Sequence, residues 1–491
     1  MKIFKTLNLI IILSGLLVQL GCDKIEEINI DPNNPKDVDL GLIFTSGEDK
    51  LLYKYGRFTE GTDWDTWAGL WIQTFAGNHG AGVNYDRYDI QAINSTWGTQ
   101  YDALNDLMEV IKRGSETEAW EHVGASKVLI SLGLGTLTSV YGALPWSEAL
   151  KGSEVPYPIF DSQESIYATL LKLLDEAILD LDKNASVLLG SSDFAFNGDK
   201  QKWKALAYAL KARYHNHFSN KNGQSSANEA LKAIENAKQN GFVSHDYDLT
   251  FPYGGVDKYL NGWFHMYENN QMIASKVFMD FLIDTQDPRK FTYWNDTSVD
   301  GLDVGYTGKP NALGTTNLSY SPVGPQGFYG KNDSPQLIVT HFELLFIESE
   351  AAFRSGDLER AASALNEAIK KQIDLVTPAA YSHVAQMPSI DYQSMIENYI
   401  ETNANETAST VTIEKIMTQK YVAMFTMNTE SWNDVRRYDY NYPSFLSIPK
   451  TPDGTPIGTG FIQRVLYPQE SVNTNKNTPD SDLFTRLWIF D

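Results

Sequence analysis

Stretches in which apolar side chains return every three or four residues alternate along this chain with stretches of similar length that have no period. The first kind can only be buried as helices, and the second must be carried on them. Thr96–Gly114 places Trp97, Tyr101, Leu104, Met108 and Ile111 on one stripe. Trp120–Tyr141 is apolar on nearly all sides, which predicts a helix buried within the body. Gln163–Asp182 carries Ile166, Leu170, Leu173, Leu174, Ala177, Ile178 and Leu181, with Asp161 or Ser162 as its cap. Lys200–Phe218 repeats the pattern through Trp203, Leu206, Leu210 and Tyr214, and Ala227–Gln239 closes at Asn240-Gly241. Thr340–Arg354 and Leu358–Ile373 flank the tight turn Ser355-Gly356-Asp357, and Ile413–Met427 and Ser431–Arg437 follow. Neither helix of such a pair buries its apolar face alone, so the pairs stack as in tetratricopeptide repeats. The expected fold is mainly α, a tetratricopeptide-like helix-pair scaffold with long, irregular, aromatic-rich loop insertions.

The aperiodic stretches are residues Phe58–Asn94, Gly241–Phe264 and Asp284–Gln336, rich in Gly, Pro, Asn, Asp and aromatic residues. Loops of that length in a compact body are usually functional. An aromatic ring covers the C–H face of a sugar while Asn, Asp and Arg take its hydroxyls, so these loops suit a neutral glycan. The candidate contacts are Trp64, Trp67, Asn84, Tyr85, Trp263, Tyr293, Trp294 and Tyr306. Trp64, Trp67 and Trp71 are also spaced i, i+3, i+7, the spacing of a core stripe on a helix. Trp263, Tyr293, Trp294 and Tyr306 lack that periodicity and are the stronger candidates.

The amino terminus carries Lys2 and Lys5, an apolar run from Leu7 to Val18, and then Gln19-Leu20-Gly21-Cys22 with the chain's only cysteine. This is the layout of a secretory signal, and its apolar core is shorter than the roughly 20 residues a bilayer span requires. Leu-Gly-Cys resembles the lipobox of bacterial lipoproteins, in which the cysteine is acylated before cleavage, with Gln19 where Leu is usual. Residues 1–21 are therefore expected to be a signal peptide, and residues 22–39 an acylated Cys22 with a flexible polar tether. Residues 40–491 are then a single folded domain. The acids Asp23, Glu26 and Glu27 resemble the surface-export signal of Bacteroidota lipoproteins. Loss of Lys2 and Lys5 moves the net charge from −22 to about −24. That acidity excludes nucleic acid as a partner and leaves the acyl chains as the only hold on the membrane. With one cysteine there is no disulfide framework, so stability must come from packing.

Catalytic signatures are missing: there is no His-Glu-x-x-His, no Gly-x-Ser-x-Gly and no Walker loop. His215 and His217 are two apart on a helix and face different ways, a poor metal pair. The acid pairs Asp63/Asp65 and Asp246/Asp248 flank Trp64 and Tyr247, where two loop carboxylates would also serve a glycoside hydrolase. Neither pair fits a complete calcium loop, and no cofactor is expected beyond the lipid on Cys22.

Several strings in order resemble the SusD/RagB-like nutrient-binding lipoproteins, in particular the second SusD-like group. Ser139–Leu150 (SVYGALPWSEAL) resembles the family's YG-x-x-P turn, and Pro158–Ala177 looks like the helix that follows it. Asp193–Arg213 resembles the D-x-x-F-x-G-D-x-x-K-W helix, and Glu348–Leu365 the E-a-x-x-R-x-G-d pair. Gln419–Tyr438 and Arg464–Asn475 are similar to its Q-K…E-x-W-x-D-x-R-R and R-x-x-Y-P-x-x-E-x-x-x-N strings, and Leu487-Trp488 echoes its v-W-W-D ending. Within these strings Arg436 and Arg437, beside Glu430 and Asp434, are expected to form structural ion pairs. The resemblance implies a non-catalytic, surface-exposed outer-membrane lipoprotein that binds an oligosaccharide or other nutrient and acts as a lid on a SusC-like TonB-dependent transporter. It carries over no sugar-contacting residue. The alternatives are a surface glycoside hydrolase and an adaptor lipoprotein that binds only protein.

Overall fold

The computed structural model describes residues 38–53, 64–90, 95–256, 259–299, 302–316, 318–387 and 390–491. Cys22, residues 23–37 of the tether and Asp63 lie outside the described residues. The helices α1 (Leu40–Leu52), α2 (Trp64–Trp71), α3 (Gly80–Asp86), α4 (Ser95–Glu116), α5 (Trp120–Tyr141) and α6 (Gln163–Leu181) come first. Next are α7 (Lys200–His217), α8 (Ser219–Gln239), α9 (Gly262–Asn269), α10 (Lys276–Asp284) and α11 (Lys290–Tyr293). The chain continues through α12 (His341–Ser355), α13 (Leu358–Val376), α14 (Tyr381–Val384), α15 (Tyr392–Asn403), α16 (Ile413–Ala423), α17 (Asn428–Arg437) and α18 (Gln469–Thr474). Six short strands lie between them: β1 (Phe75–Gly77), β2 (Leu249–Phe251), β3 (Met272–Ala274), β4 (Thr297–Val299), β5 (Leu302–Gly305) and β6 (Gln336–Val339). They form three antiparallel pairs, β1 with β3, β2 with β6 and β4 with β5.

The helix pairs foreseen from periodicity stack in sequence. α1 packs on α4, α4 on α5, α5 on α6, α6 on α7 and α7 on α8, and α8 then meets α12, which pairs with α13. α5 is apolar enough to cross a membrane, yet 94% of that window is buried inside the fold, so it is a core helix. Caps fix the ends. Ser162 accepts from Ser165 N at the start of α6, and Asp199 accepts from Gln201 N and Lys202 N at the start of α7. Asp39 accepts from Gly41 N and opens α1. Between α12 and α13 the chain turns at Gly356, whose φ of 90° is left-handed, and Asp357 caps the next helix by accepting from Arg360 N. α8 begins at Ser219, earlier than Ala227, because the chain continues helically across a break at Gly223 (φ 46°, ψ −118°).

One contiguous apolar core runs from Phe44 to Phe490, and a small alanine contact (Ala227, Ala230, Ala351) lets α8 and α12 approach closely. Buried charges cross-link it. Arg437 donates to both oxygens of Glu350 (2.6 and 2.9 Å) and to Asp434 (2.5 Å), while Arg213 pairs with Glu343 (2.6 Å). Arg436 departs from the expected ion pair with Glu430. Its guanidinium lies 3.6 Å from the centre of the Trp432 ring and donates to Gln463 O, and Glu430 instead faces His217 (3.0 Å) and Arg213 (3.8 Å). His217 also meets the Tyr167 hydroxyl at 2.9 Å, so it is a satisfied core histidine.

Candidate ligand-binding site

Three remote stretches meet at the β1–β3 pair. Phe75 lies opposite Ala274 and Gly77 opposite Met272, and past the strand Asn78 N donates to Gln271 O at 2.7 Å. The turn into α3 comes so close that only glycine fits. A Cβ on Gly77 would stand 2.0 Å from Gly82 O, and one on Gly82 would stand 2.5 Å from Gln271 O. The third stretch, residues 307–312 together with Ser321, is laid against both. The buried Lys309 donates to Gly77 O (2.5 Å), Asn311 donates to Phe75 O (2.8 Å) and to Asp86 (2.6 Å), and Ala312 N donates to Asp86 (2.8 Å). Ser321 O accepts from Ala274 N, and Ser321 N donates to Thr307 O. Burial raises the Asp86 carboxyl from an ordinary 3.8 to about 6, against the lowering effect of these hydrogen bonds and of Lys309.

Beside this junction lies an open cleft of about 650 Å³. Asn78 and His79 form one wall, and the C-terminal end of α9, with Tyr267, Glu268 and Asn270, forms a second. Thr316, Leu318, Ser319, Tyr320 and Pro322 close the third side. Tyr267 is 37% exposed and Tyr320 half-buried, while Asn78 is buried and donates to Asn270 O. Two tyrosine rings, with amide, imidazole, carboxylate and hydroxyl groups around them, form a set suited to a pyranose: apolar faces for its C–H bonds and donors and acceptors for its hydroxyls.

The sequence-derived candidates divide between core and surface. Trp67, Trp263, Tyr293 and Trp294 are corrected, since none is more than 1% exposed and a ligand cannot reach them. Trp67 stacks on Tyr85 (4.2 Å, 10°), and Trp263 stacks on Phe75 (4.7 Å) and donates to Gln336. Tyr293 stacks on Phe425 (4.2 Å, 3°) and donates to Val422 O, and Trp294 meets Phe75 edge-on. The reason is local: α9 begins at the end of one stretch read as irregular and α11 lies inside another, so Trp263 and Met266 turn inward while Tyr267 turns out. The side chain of Trp64 lies outside the described residues. Asn84 is exposed and Tyr85 half-buried on α3, which starts next to His79. Tyr306 is half-buried, its hydroxyl 3.4 Å from His383 Nε2 and its ring against Phe291. The stretches read as irregular contain Asn78, His79 and Tyr320 but stop short of Tyr267, and neither tyrosine was among the candidates. The signal for Tyr267 was its place one residue off the Trp263–Met266 stripe.

The acid pairs do structural work where they are described. Asp65 is buried and accepts from Thr429 N, and Asp248 accepts from His341 N and faces His245 Nδ1 at 2.9 Å. Among the described residues no group of three His, Cys, Asp or Glu side chains is placed to hold a metal.

Stacked helix pairs that carry irregular loops, tied together beside one open cleft, define the class of fold to which the chain belongs. Residues 32–468 match the second SusD-like family, described as starch-binding and associating with the outer membrane, and the chain belongs to that family. It is accordingly a non-enzymatic carbohydrate-binding protein associated with the outer membrane. Solved structures share the fold. A SusD/RagB family protein from Bacteroides thetaiotaomicron is 21% identical with a TM-score of 0.72, over 90% of this chain and 95% of its own. A chitin-binding SusD homologue from Flavobacterium johnsoniae is 20% identical with a TM-score of 0.72, over 91% and 98%. A protein described as chitin-binding is 22% identical with a TM-score of 0.71, also over 91% and 98%. No curated protein sequence matches the chain.

Proposed function

We propose that the protein is a lipid-anchored, surface-exposed lipoprotein that holds a neutral oligosaccharide in the cleft between Tyr267 and Tyr320 and passes it to a SusC-like TonB-dependent transporter. The observation that carries this reading is the cleft: outward aromatic rings and unlike polar groups, brought together by loops cross-tied at Asp86, Lys309 and Asn311. Among the described residues no lysine or arginine lines it, so uncharged sugars fit better than uronates or sulfated units. Oligomers of N-acetylglucosamine are the first ligands to try, since two similar structures are described as chitin-binding.

In calorimetric titration with a chitin hexasaccharide and with maltohexaose, Tyr267→Ala and Tyr320→Ala should each weaken binding by about tenfold, the effect of losing one aromatic contact. Affinity unchanged in both variants would sink the assignment of this cleft. Release of shorter products would point to the hydrolase, and copurification with a barrel without sugar binding to the adaptor. Anchoring is tested separately: Cys22→Ala should release the protein from the cell surface with sugar affinity intact.

A further inference from the structure

A second cleft, of about 360 Å³, opens where two motif strings singled out in the sequence meet. One is the turn after α5 and the other is the segment that leads into α18. They are stitched together. Arg464 donates to Tyr141 O, Tyr467 Oη donates to Ala143 O (2.9 Å), Asn475 Nδ2 donates to Pro158 O (2.8 Å), and Val465 N donates to Val140 O (3.2 Å). The floor is α4, which presents Trp97, Gly98, Tyr101 and Asp102 to the opening. Trp97 is half-buried, and its ring is fixed edge-on against Tyr141 (4.8 Å, 85°) and tilted against Tyr101 (5.0 Å). Next to it Gly98 is exposed, and a Cβ there would meet no atom within 4 Å, so the helix leaves open space beside the indole.

We propose that this cleft is a second saccharide subsite, taking one neutral pyranose unit of a glycan chain, separate from the cleft at Tyr267 and Tyr320. The walls suit such a guest. Pro145, Pro156, Pro158 and Pro468 give rigid apolar sides that lose little freedom on binding. Asp102 and Glu470 stand exposed at the rim as acceptors for hydroxyl donors, and among the described residues no lysine or arginine lines the cleft to draw an anion. Two subsites on one body raise affinity for long chains over short ones, because the second engagement is intramolecular.

The test is stoichiometry. The full-length protein is titrated calorimetrically with a chitin hexasaccharide and with maltohexaose. Two sites per chain are expected for the parent, one for Gly98→Leu, one for the Tyr267→Ala/Tyr320→Ala double variant, and none for the combination. A Cβ at position 98 projects into open space, so leucine there intrudes on the opening, and thermal unfolding should show Gly98→Leu at least as stable as the parent. Trp97→Phe, which keeps an aromatic ring, should weaken the second site by about tenfold or less. A single site in the parent that Gly98→Leu leaves unchanged overturns the proposal, as does loss of every site in the tyrosine double variant or no binding of either hexasaccharide. A site that survives the tyrosine double variant and disappears with Gly98→Leu supports the subsite even where the reading of the first cleft fails.

Discussion

At the scale of single residues, the molecule depends on charges it has buried in pairs. Arg437 and Glu350 are both fully buried. Burial disfavours the Glu350 carboxylate, but Arg437 and Arg354 hold its pKa far below the usual range. Glu350→Ala removes two of the hydrogen bonds to a buried guanidinium and leaves it Asp434 as its carboxylate partner, which should cost about 3 kcal/mol, read as a lower urea midpoint. Asp86 has the opposite sign. Its folded pKa of about 6 stands above its ordinary 3.8, so its favourable contribution is complete below pH 4 and is lost as pH rises through 6. Parent and Asp86→Asn stabilities, compared by urea unfolding at pH 4 and pH 7, should diverge on the order of 2 kcal/mol, the parent losing more. Arg436 and Arg437 were legible as structural, and so was the Arg437–Asp434 pair, but not Glu350, which lies 87 residues from Arg437 where no local pattern announces it. The aromatic residues were read least well, because a large ring serves a core and a sugar equally and sequence gives only its period.

At the scale of elements, α4, α5, α6, α7 and α12 were legible to within two residues, whereas α8 begins eight residues before the expected Ala227. α5 begins at Trp120 and ends at Tyr141 as the apolar run predicts, and the α12–α13 turn falls at Gly356. The short ones were not: α9 has eight residues and α11 four, too few for a stripe to repeat, so α11 fell within a stretch read as irregular and α9 began inside another. Where helices cross closely, small residues decide the spacing. A Cβ on Gly135 of α5 would stand 2.3 Å from the Tyr214 hydroxyl, which donates to Ser131 O on the same helix. Gly135→Ala should therefore destabilise by about 1 to 3 kcal/mol, despite alanine's better helix propensity, and thermal unfolding would register it. No loss of stability would mean that α7 can slide away from α5.

At the scale of the whole molecule, a net charge of −22 acts on every ligand that approaches. Anionic oligosaccharides should bind more weakly than neutral ones of equal length, and the gap should narrow as salt is raised from 20 to 300 mM in titrations. A gap that does not respond to salt would place the discrimination in direct contacts alone. The lysine that joins the first cleft, Lys309, reaches a carbonyl 232 positions earlier in the chain, and Asn311 one 236 positions earlier. Contacts so distant in sequence are made late in folding, after the local helix pairs. The cleft is thus absent from any nascent chain that has not yet delivered Pro322, and sugar affinity reports that segments more than 230 positions apart have closed upon one another.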